Sequence, residues 1–100
     1  MTGKSDLANL TEILRRELPA LSAKYHVNSL EIFGSYARQE QNEESDLDLL
    51  VTFNETPGLL KFVELENHLS DLLGIKVDLV MKEALKPNIG QRIIKEAVTV

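Results

Sequence analysis

A chain of 100 residues with no cysteine and a net charge of −5 has room for one domain. It has none for a disulfide framework, a thiolate nucleophile or a zinc–thiolate site. Its acidic balance argues against a surface that grips nucleic-acid phosphates, and no apolar run approaches the roughly 18 residues of a membrane span. With 43% hydrophobic and 27% charged residues and no secretory signal pattern, a soluble cytoplasmic protein is expected.

From Asp6 onward Leu7, Leu10, Ile13, Leu14, Leu18 and Leu21 recur at three- and four-residue spacings, which predicts an amphipathic helix ending near Tyr25-His26. Ser5 or Asp6 is its expected cap, and Pro19 is expected to kink or restart it. A first strand is predicted over Ser29–Phe33. Gly34 to Ser45 reads as turn and loop, with one helical turn over Ser35–Arg38 and an acidic, solvated stretch holding Glu40, Glu43 and Glu44. Asp46-Leu47-Asp48-Leu49-Leu50-Val51 then alternates carboxylates with apolar residues, the period of a strand with one buried face. Leu47, Leu49, Val51 and Phe53 should enter the core, leaving Asp46 and Asp48 on the opposite face.

The Asn54–Gly58 stretch breaks the chain, with Thr56 expected as cap and Pro57 as first helical residue. A helix over about Leu59–Leu73 follows, with Leu59, Phe62, Val63, Leu69, Leu72 and Leu73 as its apolar stripe and Gly74 closing it. Lys76–Met81 should be a third strand, its Asp78 facing away from Val77, Leu79 and Met81. After Lys86-Pro87 a last helix is predicted over Ile89–Ala97, with Ile89, Ile93, Ile94 and Ala97 inward. His26 and His68 stand alone and read as helix-end or surface residues.

Residues i and i+2 of a strand lie roughly 6.5–7 Å apart, close enough for Asp46 and Asp48 to share a cation or a pair of cations. Asp78 can join them if its strand is a neighbour. Hard oxygen ligands without His or Cys favour Mg²⁺, which typically binds through one or two carboxylates plus substrate phosphates. A nucleoside triphosphate is the natural partner. Gly34-Ser35 suits it, because a glycine turn lets backbone N–H groups approach a phosphate. Arg38 can aim a guanidinium at phosphate oxygens or at the site's own carboxylates. In a two-metal displacement Asp46 and Asp48 would hold the ions, and Asp78 would bind the ion nearest the acceptor or act as base toward its hydroxyl.

Gly34-Ser35-Tyr36-Ala37-Arg38 followed by Ser45-Asp46-Leu47-Asp48-Leu49-Leu50-Val51 resembles the minimal nucleotidyltransferase (MNT) group of the DNA polymerase β superfamily. That group's pattern is GSxARG, a short loop, then SDxDLxV, with a third aspartate that matches Asp78 in KVDLV. The resemblance spans nearly the whole chain, including its tail LKPNIGQRIIKEAV. It departs at Gln39, where the family usually has a glycine and where the backbone is expected to need freedom. The resemblance implies an α/β (α+β) nucleotidyltransferase fold, a small mixed β-sheet with helices packed against it, over residues 1–100. It also implies Mg²⁺-dependent transfer of AMP from ATP, and a small helical HEPN toxin as partner, modified on a tyrosine, with this chain as antitoxin. Homo-oligomers and complexes with the toxin both stay open.

Two other readings compete. Transfer to a small molecule would make it akin to antibiotic-modifying relatives, which generally carry an extra helical domain for the acceptor. A non-catalytic subunit that blocks its partner by contact alone is favoured only by Gln39, while intact Ser35, Asp46, Asp48 and Asp78 weigh against it.

Overall fold

A computed structural model describes residues 7–42 and 44–100, without the Ile89 side chain. The expected cap at Ser5 or Asp6, the place of Glu43 in the acidic loop and the inward face of Ile89 lie outside the described residues. The elements run α1 (Leu7–Tyr25), β1 (Val27–Phe33), β2 (Leu47–Phe53), α2 (Leu59–Leu73), β3 (Val77–Met81), a single 3-10 turn (Lys82–Ala84), α3 (Pro87–Glu96) and β4 (Val98–Thr99). The four strands form one sheet in the order β3-β2-β1-β4. β1 is antiparallel to both β2 and β4, whereas β2 and β3 are parallel and joined by α2. Parallel neighbours need such a crossover, and a helix is the usual one.

One face of this mixed sheet and the helices α1 and α2 make the core. Leu30 and Ile32 of β1, Leu47, Leu49 and Val51 of β2, and Val77 and Leu79 of β3 meet Leu10, Leu14 and Leu21 of α1 and Leu65, Leu69 and Leu73 of α2. The alternation in β2 thus works as expected, with Phe53 packed at the margin. Leu50, on the face that carries Asp48, is nevertheless buried, so that second face is partly covered.

Several local expectations need correction. α1 runs as one helix through Pro19, so the proline does not restart it; the proline is exposed, where water can satisfy the carbonyl that its missing N–H leaves unpaired. The N-cap of α2 is Gly58, with no side-chain cap bond, so neither Thr56 nor Pro57 has the role expected of it. The inward stripe of α2 runs through Leu65, Leu69 and Leu73, while Leu59 and Val63 are exposed, and Leu60 with them. Ile94 also faces outward. Gly74 does close α2 in the left-handed region at φ 71°. Among the described residues no helix is long and apolar enough to cross a membrane.

Candidate active site

β1 ends at Phe33, which pairs with Asp48 of β2, and Asp48 pairs on its other side with Asp78 of β3. Paired residues share a face of a sheet, so Asp48 and Asp78 project together on the face away from the main core. Gly34, one residue past Phe33, closes over the same spot. Asp48 is half-buried and Asp78 exposed. Asp46 lies one residue ahead of β2 rather than on it, exposed, yet its charge reaches Asp48.

The electrostatics of this spot centre on Asp48. Its carboxyl is pushed up to about 6, first by burial, then by the charges of Asp78 and Asp46, with a hydrogen bond to Asp78 acting in the same direction and Arg38 opposing. Two carboxyls can hydrogen-bond each other only when one keeps its proton. A cation can take that proton's place, and an all-oxygen donor set suits Mg²⁺. Among the described residues no three carboxylate or imidazole groups already enclose a single point. Asp48 and Asp78 share a hydrogen bond, while Asp46 acts on Asp48 through its charge. The residues present fit a hard divalent cation held chiefly by that pair.

Gly34 explains itself by what surrounds it. Its φ is 76°, in the left-handed region, and a Cβ there would collide with Asp48 Oδ2 and lie 3.1 Å from its Cγ. Only glycine lets the turn pass this close to the carboxylate. The turn is pinned from beneath by Tyr36, which is buried, and Ala37, which packs against the core. These two residues of the motif carry no chemistry but fix its place, a role that sequence reasoning did not assign.

The turn is one short helical coil that ends in a Schellman motif. Arg38 N–H donates to the Gly34 carbonyl at 3.1 Å, Gln39 N–H to Tyr36 at 3.1 Å, and Glu40 N–H to Ser35 at 2.8 Å. Gln39 occupies the left-handed position that such a motif usually gives to glycine, at φ 59°. The expectation of a permissive backbone at this position therefore holds, and Gln39 adopts the conformation at a cost. Gln39→Gly should stabilise the protein by about 0.5–1 kcal/mol, the left-handed penalty less the entropy of a glycine. A urea melt would show the gain as a higher midpoint at unchanged slope, and an unchanged midpoint would refute it.

Arg38 does not reach the aspartates directly. Its Nε donates to Glu40 at 3.0 Å and its Nη1 to Glu96 at 3.2 Å. Glu96 also accepts from Gly34 N–H at 3.1 Å. No sequence signal pointed to Glu96, which is 62 residues away in the chain. His26 and His68 are both exposed and lie outside this constellation.

Comparison with known proteins gives the chain a family. Residues 10–100 match the nucleotidyltransferase domain family. A Methanocaldococcus jannaschii protein, whose name as a protein adenylyltransferase is provisional, is 56% identical over 90% of this chain and 92% of its own. The protein adenylyltransferase MntA of Thermococcus cleftensis is 46% identical over 94% of this chain and 95% of its own. Among solved structures, one described provisionally as a minimal nucleotidyltransferase superposes with a TM-score of 0.79 at 38% identity, covering 95% of this chain and 96% of that one. Two more distant ones share the fold. A toxin–antitoxin pair with AMP-PNP gives a TM-score of 0.68 at 24% identity, over 93% of this chain and 70% of that one. A tri-AMPylated Shewanella oneidensis HEPN toxin in complex with its MNT antitoxin gives 0.60 at 20%, over 98% and 71%. By sequence, by fold and by the placement of its motif, the chain belongs to the nucleotidyltransferase family, in its minimal (MNT) group.

Proposed function

We propose that this chain is a protein adenylyltransferase that moves AMP from ATP onto a HEPN toxin and so acts as that toxin's antitoxin. The observation that carries the reading is Asp48 paired in register with Asp78 on one side and lying against Gly34, at the head of the Gly34-Ser35 turn, on the other. That arrangement supports reading anion donors beside cation ligands, as a metal–triphosphate substrate requires. The names of the relatives and the toxin–antitoxin neighbours support the substrate and the partner. The resemblance to the family implies a tyrosine as acceptor.

Asp48 and Asp78, with Asp46 drawn toward them, are the residues that would hold Mg²⁺. The bound ion would screen the triphosphate and stabilise charge on the departing pyrophosphate. Gly34 N–H, the Ser35 hydroxyl and Arg38 orient the phosphates through charge-assisted hydrogen bonds. The acceptor oxygen forms its bond to the α-phosphorus as the bond from that phosphorus to the bridging oxygen breaks, and pyrophosphate leaves. The acceptor's hydroxyl proton passes to a carboxylate, for which Asp78, the more exposed of the pair, is the candidate.

The test is transfer of label from α-labelled ATP with Mg²⁺, with and without the product of the neighbouring gene. Label entering that partner, and lost on chelation of the metal, is the expected result. Partner neutralisation with no label transferred would favour inhibition by contact alone. Label found only on an added small hydroxyl compound would move the activity to small-molecule modification.

A further inference from the structure

The hollow formed by the Gly34–Arg38 turn already holds an anion, and it is the chain's own. Glu96, the last residue of α3, accepts from Gly34 N–H at 3.1 Å. Both of its oxygens lie within reach of Arg38 Nη1, at 3.3 Å for Oε1 and 3.2 Å for Oε2. A backbone N–H in a turn and a guanidinium fork are the donors that a phosphate would take. We propose that Glu96 is a resident competitor of the triphosphate, filling the Gly34–Arg38 hollow until nucleotide displaces it. This rests on reading that hollow as the phosphate site of a nucleotidyltransferase.

The placement of Glu96 is not one that its own helix favours. A carboxylate in the last turn faces the negative end of the helix macrodipole, so it is Gly34 and Arg38 that make the position tenable. Its backbone is fixed on both sides. Behind it is α3, and ahead of it Ala97 N–H donates to Ile93 at 3.0 Å before β4 pairs with β1. Displacement is therefore a swing of one side chain and needs no unravelling of the tail. The contact is also weak enough to yield. The Arg38 and Glu96 side chains are 46% and 31% exposed, and pairs so open to water are screened. A triphosphate brings several charges against one. Arg38 keeps Glu40 as a second partner at 3.0 Å, so it stays beside the hollow when Glu96 leaves.

Glu96→Gln separates competition from simple bracing. The glutamine keeps an oxygen that can accept from Gly34 N–H while the charge that opposes phosphate is gone. Titration calorimetry of the full chain with tripolyphosphate, and with ATP and Mg²⁺, should show binding roughly two- to five-fold tighter in the variant, the span that exposed ion pairs cover. Unchanged or weaker binding by a variant that melts cooperatively would overturn the proposal and make Glu96 a brace that orients Arg38. If Glu96→Gln does not fold, Glu96→Asp serves in its place. It keeps the charge but retracts it by one methylene, and it too must bind tripolyphosphate more tightly or the idea fails. The two readings are tested apart. Tighter tripolyphosphate binding without any AMP transfer by the wild type upholds the competition and rejects the enzyme; transfer without tightening does the reverse.

Discussion

Asp48→Asn is expected to reduce AMP transfer about a thousand-fold and, at the same time, to raise the melting temperature at pH 7.5. The loss follows from the metal-ligand role proposed for Asp48, beside Asp78 and the Gly34 turn, because losing such a ligand forfeits several kcal/mol of transition-state stabilisation. The gain follows from its acidity. Its carboxyl is raised from 3.8 to about 6 by burial, then by Asp78 and Asp46, so the folded state holds a proton more firmly than the unfolded one. Stability from this group is fully present below about pH 3.8 and is lost as pH rises through about 6. Above that the folded protein carries a charge its surroundings oppose, and asparagine removes it. The carboxylate is half open to water, which screens the effect to roughly 1 kcal/mol, or about 4–8 °C for a domain of this size. Melts of both proteins from pH 4 to 8 should converge at the acid end and separate toward neutrality. A variant that melts lower than the wild type at pH 7.5 would show that the aspartate cluster is not electrostatically opposed in the fold.

Gly34→Ala should damage both properties. The backbone at Gly34 sits at φ 76° and a methyl group there would press on the Asp48 carboxylate. The left-handed conformation costs an alanine roughly 1–2 kcal/mol, partly offset by a stiffer unfolded chain. Relief of the clash must come from Asp48, since the other side of the turn is anchored by buried Tyr36. A displacement of about 1 Å in a catalytic carboxylate can cost about a hundred-fold in rate. A lowered melting temperature together with a loss of that order is the expected result. Normal transfer by Gly34→Ala would mean that Asp48 tolerates displacement and is not a positioned ligand.

The strands were legible because β2 alternates at its start, Leu47-Asp48-Leu49, even though Leu50 breaks the pattern. Leu47, Leu49 and Val51 are inside and Asp48 is on the far face, which the spacing alone requires. The stripe of α2 was harder, because Leu59 and Val63 form one apolar row and Leu65, Leu69 and Leu73 another, both at four-residue spacing. Only the packing against α1 and the sheet selects the second. β4 could not be read at all: two residues have no period, and they become a strand only by pairing with Glu31 and Ile32. In the site, local motifs revealed the Gly34 turn and the aspartates. The pairing of Asp48 with Asp78 depends on the parallel register of two strands joined by a helix, and Glu96 reaches Gly34 only through the tertiary fold. Neither relation has a local signature.

The order of the strands also bears on how the chain acquires its shape. β1 and β2 meet across residues 34–46, a shorter connection than residues 54–76 between β2 and β3, so their contact costs less loop entropy. β3 docks on β2 only after α2 has carried the chain back to a parallel position. Asp48 and Asp78 therefore come to oppose each other only when that parallel register closes, in the same step that buries Val77 and Leu79 against the core.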